Sequence, residues 1–249
     1  MWPGACFFSP GGRQMTEVCE EQHCAAGNSF LDSLPADSQM LLRQALEPVN
    51  LPTGSIIAIA GRPVRDVYFP EKAVVSLLHS DREGAGTRVG IVGSEGALGL
   101  GVCFGEPHPF TALVLVGGRA LRMDAQWLPK VFAHRESLCR TVIPYAADLM
   151  GQAWQIAVCN RYHAPAQQLC SLLLQVMDRG GSGNLPLTHN LIARLLGVRR
   201  ETVTQAATRI QALGYVQYAR GYIRVLDRVG LETMSCGCWR PPLARAADD

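Results

Sequence analysis

Residues 187–216, LTHNLIARLLGVRRETVTQAATRIQALGYV, constrain the fold most, because apolar residues recur at helical spacing on both sides of a glycine. Leu191, Ile192 and Leu195 share one side of a first helix, and Val203, Ala206, Ala207, Ile210 and Leu213 share the inner side of a second. Thr188 stands where its hydroxyl can accept an amide of the first turn that has no partner within the helix. Gly197 permits the sharp turn, Val198 packs into it, and Gly214 ends the second helix in a left-handed cap. Neither short helix can bury its stripe alone, so the segment predicts a helix-turn-helix. The following YVQYARGYIRVLD reads as two short strands around Arg220-Gly221, which adds a wing.

The outer side of the second helix, which starts at Arg199 or Arg200, carries the chemistry. Arg200, Glu201, Thr204, Gln205 and Thr208 are left facing outward. An arginine fork matches two acceptors on guanine, glutamate accepts from the cytosine amino group, and glutamine pairs twice with adenine. Arg200, Glu201, Thr204 and Gln205 are therefore the expected base readers. Thr188, Arg199, Thr202, Arg209, Arg220 and Arg224 are expected on phosphates, which fix register and affinity without reading sequence. Charge supports this: residues 161–228 hold nine arginines against three acids, a balance of +6, whereas residues 1–160 hold twelve bases against fifteen acids. The competing readings are a solvated charged face and a helical hairpin that only packs.

Upstream, the chain of 249 residues is long enough for two modest domains. Asp37 is expected to cap a short helix ending before Pro48. GSIIAIAG, DVYFP, AVVSLLHS, RVGIVG, FTALVLV and RALRM then follow as strand-length runs, with Gly117-Gly118 expected as the loop of a hairpin. This block, roughly 50–124, reads as an antiparallel roll or barrel. Beyond it Leu138, Val142, Tyr145, Leu149, Ala153 and Ile156 fall at steps of 4, 3, 4, 4 and 3, a helical seam interrupted by Pro144, where a kink or restart is expected. Such a seam is covered either by the roll or by the same helix of a second copy. A further helix, APAQQLCSLLLQVMDRG, ends at Gly180-Gly181. The organisation is α+β: an extension at 1–27, a roll at 28–125, a helical linker at 126–163, a winged helix-turn-helix at 164–235 and a tail at 236–249.

From Asn28 to Cys238 the sequence resembles the CRP/FNR family of transcriptional regulators, most closely in the winged segment and in the R-E-T-V step at 200–203. The resemblance implies a cyclic-nucleotide-binding-like β-roll, a dimerisation helix at the 138–156 seam, a homodimer on a near-palindromic double-stranded DNA operator, and contact with RNA polymerase. Members that bind cyclic AMP carry a glutamate for the ribose and an arginine for the phosphate. In EGALGLGVCFGEPHPFTALV, Ala97 stands at the first place and Phe110 at the second, so cyclic AMP is not expected to bind tightly. Gly96, Ala97, Leu98, Phe110 and Thr111 mark the position of any other effector, and the glycine-rich turn 93–101 is either a ligand cradle or plain loop geometry. The effector, if there is one, has no identifying residue, and no cofactor is expected.

Nine cysteines lack the even spacing of a disulfide framework, and MWPGACFFSPGGRQ lacks the basic start and apolar stretch of an export signal. The expected compartment is the reducing cytoplasm, with no apolar run of about 20 residues to cross a membrane. The first fourteen residues read as a disordered extension or a misassigned start before Met15. Cys6, Cys19, Cys24 and Cys103 depart from the spacing of the oxygen-sensing iron–sulfur members of the family. Cys236 and Cys238, in SCGCW, are a second candidate for redox or metal sensing. A metalloenzyme on the roll would need several converging histidines, and the roll offers only His79 and His108, with no close pair. No nucleophile motif or phosphate loop is present, so enzymatic activity is not expected. An adaptor that dimerises without touching DNA is the remaining alternative.

Overall fold

The computed structural model describes residues 27–81, 86–131, 135–180 and 183–239. The expectations for the first fourteen residues and for Cys6, Cys19 and Cys24 lie outside them. Helix α1 (Ser29–Asp32) starts at Asn28, whose side chain accepts from Leu31 N at 3.0 Å and donates to Pro70 O and Gly96 O at 2.8 and 2.9 Å. Helix α2 (Ala36–Arg43) follows Pro35. Asp37 does not cap it. It sits within the first turn, where a carboxylate still opposes the positive end of the helix dipole.

The roll consists of β1 (Glu47–Leu51), β2 (Ile56–Ala58), β3 (Asp66–Pro70), β4 (Val74–Ser80), β5 (Gly86–Val92), β6 (Thr111–Val116) and β7 (Gly118–Asp124). They form two antiparallel sheets of order β1-β7-β3 and β2-β6-β4-β5. Strand β1 was hidden by Pro48, which the sheet tolerates because β1 is an edge. The hairpin expected at Gly117-Gly118 does not form: β6 and β7 belong to different sheets, and the glycines mark the crossing between them. A Cβ at Gly117 would stand 2.8 Å from Thr53 N, and one at Gly118 2.8 Å from the Lys72 carbonyl carbon, so close approach of backbone is what requires them.

Strand β4 reads as a continuous apolar run because it is covered on both faces. Val75 and Leu77 point into the roll with Ala73, Val114 and Ala120. Val74 and Leu78 point the other way, into a core shared with the helices described next.

Helices α3 (Leu128–Val131) and α4 (Arg135–Tyr162) leave the roll. Helix α4 continues through Pro144 rather than restarting there, and at 28 residues it spans about 42 Å. Its 138–156 seam is largely used within the chain. Val142 is 1% exposed and Ile156 7%, Tyr145 packs on Phe30, Leu149 packs on the roll interior and Ala153 is half-buried. Leu138 lies outside the residues whose side chains are described. These residues therefore face the chain's own roll and core, and the apolar side of α4 left open is the opposite one.

Helix α5 (Pro165–Gly180) is the spine of the second core, with Leu169, Leu172, Leu173, Leu174 and Val176 all fully buried. Around it stand β8 (Asn184–Leu185), α6 (His189–Leu196), α7 (Arg200–Ala212), β9 (Val216–Ala219), β10 (Tyr222–Val225) and α8 (Arg228–Met234). The wing is a three-stranded sheet of order β8-β10-β9. Helix α8, capped by Asp227 Oδ1 on Gly230 N at 2.9 Å, and β8 had no signal beyond their short length.

Candidate nucleic-acid interface

Thr188 caps α6 as its position suggests, with Oγ1 accepting from Leu191 N at 3.2 Å. Gly197 takes the left-handed conformation, φ 67°, that turns the chain into α7. Val203, Ala206, Ala207 and Ile210 are buried against α5 and α6, so the orientation of α7 is set by packing. Leu213, expected on that inner face, is 51% exposed: it is the C-cap residue, beyond the last full turn, and Gly214 at φ 76° redirects the chain. The two strands around Arg220-Gly221 close through a turn with φ 48° and 86°, the pattern of a type I′ hairpin.

The outer surface of this unit is arginine-rich. Arg199, Arg200, Arg209, Arg220 and Arg224 are exposed, and among the described residues none forms an ion pair. Two other arginines of the basic segment are committed internally. Arg228 pairs with Asp178 at 2.6 Å and Glu232 at 2.7 Å, and Arg179 pairs with Glu95 at 2.5 Å. The free cations thus cluster where the helix and wing face outward, which is the electrostatic footprint of a polyanion site.

Glu201, Thr204, Gln205 and Thr208 are exposed beside Arg200, and Thr202 is half-buried. Thr204 has its hydroxyl occupied. It donates to Arg200 O at 3.1 Å and lies 3.1 Å from His189 Nδ1. His189 is the residue that pattern reading missed. Its ring meets Tyr218 of the wing edge-on, with centroids 4.8 Å apart, so one imidazole joins α6, α7 and β9. Partial burial and the nearby Arg200 hold its pKa below the usual histidine value. Nothing in its spacing distinguishes it from a surface histidine.

A second site lies between the roll and α4. An apolar cavity of about 200 Å³ is lined by Ala97, Leu100, Phe104, His108, Phe110, Tyr145 and neighbours, and among the described residues no lysine or arginine lines it. Of the expected effector residues, Ala97 and Phe110 meet there. Gly96 abuts the Tyr145 ring, Leu98 is buried on the roll interior, and Thr111 Oγ1 instead accepts from Ala60 N at 3.2 Å. The Tyr145 hydroxyl accepts from Ala97 N at 3.0 Å and donates to Ala97 O at 2.8 Å, so it occupies both polar groups of that residue. The turn itself is tied to the winged unit: Glu95 accepts from Gly93 N and holds Arg179.

His79 and His108 do not join any set of three or more potential ligands among the described residues. Cys103 is half-buried, and burial pushes its thiol up to about 11. Cys236 and Cys238 do gather ligands: they lie with Cys159 and His163, at the end of α4, in one group.

Residues 167–234 match the Crp-like helix-turn-helix domain family. Over 194 residues, 75% of this chain and 87% of the relative, the sequence is 24% identical to a CRP-like cAMP-activated global transcriptional regulator of Mycobacterium tuberculosis. The fold is similar to that of FixK2 from Bradyrhizobium japonicum, with a TM-score of 0.63 at 16% identity over 77% of this chain and 98% of that one. It is also similar to the c-di-GMP-responsive global regulator CLP of Xanthomonas campestris, with a TM-score of 0.59 at 15% identity over 77% of this chain and 99% of that one. The Mycobacterium tuberculosis relative is thus a transcriptional regulator and CLP a global regulator.

Proposed function

We propose that this chain, whose residues 167–234 match the Crp-like helix-turn-helix domain family, is a DNA-binding transcription regulator of the CRP/FNR type that reads a near-palindromic operator as a homodimer, with α7 of each copy in the major groove. The observation that carries this reading is the outward face of α7 and the wing, where five arginines stand without carboxylate partners among the described residues. Arg200, Glu201 and Gln205 read bases, while Thr188, Arg199, Thr202, Arg209, Arg220 and Arg224 hold phosphates. Thr204, whose hydroxyl is already bonded, contributes its methyl group.

Dimerisation uses the free side of α4. Ile143, Met150, Trp154 and Val158 are 53%, 52%, 65% and 46% exposed. With Ala147 they recur at steps of 4, 3, 4 and 4, the seam of a helix pair. Two α4 helices joined there set the α7 helices about 34 Å apart, one turn of B-DNA. Trp154→Glu should give monomers by sedimentation, with specific DNA binding lost and the circular dichroism spectrum retained. A dimeric Trp154→Glu protein would contradict this seam.

The roll works without cyclic AMP. Among the described residues the cavity beside Ala97 has no cationic side chain for a phosphate, and Tyr145 already takes the amide and carbonyl of Ala97. A buried phosphate lacking its cation forgoes about 1.5–3 kcal/mol. Titration calorimetry should show no saturable cyclic AMP binding below the millimolar range, whereas a micromolar Kd would refute this. A cytoplasmic location and contact with RNA polymerase follow from the family reading. Among the described residues, no helix is long and apolar enough to cross a membrane.

The experiment for the whole reading is Arg200→Ala. Sequence-specific binding should fall while the dimer and the weak binding to random DNA remain. Unchanged preference for the operator would remove α7 as the reading helix.

A further inference from the structure

The end of α4, the turn after it and the chain beyond α8 converge on one point. Cys159 lies in the last turn of α4, and His163 follows it by four residues, one helical turn later. Cys236 and Cys238 flank Gly237, whose left-handed φ of 74° curls the chain so that both thiols point inward. The Sγ atoms of Cys159 and Cys236 are 3.6 Å apart, Cys238 Sγ is 3.7 Å from His163 Nδ1, and all four ligand atoms lie within 4.8 Å of one another.

Three thiols and an imidazole gathered this closely suit a single four-coordinate ion, and the 3.6 and 3.7 Å separations match its edges. A tetrahedral zinc with bonds of about 2.3 Å to sulfur and 2.0–2.1 Å to nitrogen has ligand–ligand edges of about 3.5–3.8 Å. A disulfide between Cys159 and Cys236 would leave Cys238 and His163 unexplained. An iron–sulfur cluster that holds each thiolate on a separate iron would spread the sulfurs around an inorganic core, further apart than this.

The surroundings suit metal-bound thiolates as well. Gln155 Nε2 donates to Cys238 Sγ at 3.0 Å, and Ser171 Oγ lies 3.0 Å from Cys236 Sγ. Gln168, itself buried, donates to the carbonyls of Cys159 and His163 at 3.1 and 2.8 Å and so fixes the backbone that carries both ligands. Three thiolates with a divalent ion leave a net charge of −1. Arg88, 5% exposed and held by Gln175, is a buried positive charge that can offset it.

We propose that Cys159, His163, Cys236 and Cys238 bind a single zinc ion, which staples the chain beyond α8 to the junction of α4 and α5. Binding releases the three thiol protons to solvent and leaves a closed four-coordinate site with no position for substrate. Two of the four ligands lie beyond the matched helix-turn-helix domain, and the other two precede it. The site goes beyond the DNA-binding reading and stands or falls separately from it.

The test uses the full chain purified under reducing conditions. Elemental analysis should give one zinc per chain. Cobalt loaded in place of zinc should give the visible bands of a tetrahedral site with the intense thiolate charge-transfer band beside them, and zinc should bleach both. The Cys236→Ser/Cys238→Ser double variant should lose the equivalent of metal, and a Cys6→Ser/Cys19→Ser/Cys24→Ser triple variant should keep it. His163→Asn should weaken cobalt binding at least tenfold while retaining the thiolate band. Removing zinc with a strong chelator should lower Tm by about 5–15 °C. The proposal fails if the reduced wild-type protein carries no stoichiometric zinc and gives no tetrahedral cobalt spectrum. It fails equally if the protein holds iron with inorganic sulfide there, if a Cys159–Cys236 disulfide is found in freshly purified protein, or if metal follows the N-terminal cysteines instead. The wild-type cobalt spectrum decides the matter even if a variant does not fold.

Discussion

Arg220 holds a left-handed backbone position and, in the function proposed above, a DNA phosphate, and one substitution separates the two. It is the non-glycine residue with positive φ, 48°, among the described residues, and it occupies the tip of the wing. Holding an L-residue there costs about 1 kcal/mol, which glycine would relieve. Glycine also frees the unfolded chain by about 0.4–1 kcal/mol, so the two effects nearly cancel and Arg220→Gly should leave stability within about 0.5 kcal/mol of wild type. DNA binding should change much more. If each wing of the proposed dimer holds one phosphate through Arg220, the complex loses two contacts, and the slope of log K against log salt should shrink by about 1.8. The same slope difference makes the loss about 60-fold at 0.1 M salt and nearly nil at 1 M. Fluorescence anisotropy on a specific duplex across a salt series reads both quantities, with urea unfolding as the control. Parallel lines for the two proteins would show that the wing does not touch phosphate. A large stability loss would show that the arginine side chain itself stabilises the turn, against the near-cancellation of the two backbone effects.

Tyr145→Phe removes both hydrogen bonds to Ala97 and leaves its amide and carbonyl without those partners. The expected cost is about 1–3 kcal/mol, seen as a lower urea midpoint at unchanged m; an unchanged midpoint would mean that water replaces the hydroxyl freely. His108 is 7% exposed, and burial holds its pKa below the unfolded 6.5. The unfolded chain therefore binds more protons than the folded one as pH falls through about 6.5, and stability drops with acidification by at most about 1.4 kcal/mol per pH unit for this group. His108→Asn should flatten the stability profile between pH 7 and the folded pKa, and an unaltered profile would place the acid sensitivity elsewhere.

The winged unit was legible because its signals are local. Thr188, Gly197 and Gly214 punctuate two stripes that must pack on each other, and the turn at Arg220-Gly221 separates two runs of strand residues. The long helix was legible only in half. Its apolar residues occupy two sides, Val142 and Ile156 toward the chain's own core and Ile143, Met150, Trp154 and Val158 outward, so one seam read along it could not say which side was spare. Gly117-Gly118 misled for a related reason. Glycine serves a tight turn and a close crossing equally well, and only the sheet pairing separates them. The cysteine–histidine group was not visible as a set. Its pairs, C-x-x-x-H and C-x-C, are 73 residues apart, measured from His163 to Cys236, and only the packing of α5 and α8 brings them together. Treating each short pair as half of a site was the signal available.

Whether α7 reads base edges is decided by enrichment of DNA from a random pool with the purified full-length protein. One enriched motif is expected, with two-fold symmetry and half-sites about one helical turn apart. The Arg200→Ala protein should lose preference at one symmetric position. A wild-type pool that stays random after repeated rounds, with only salt-sensitive uniform binding, would contradict base reading by α7.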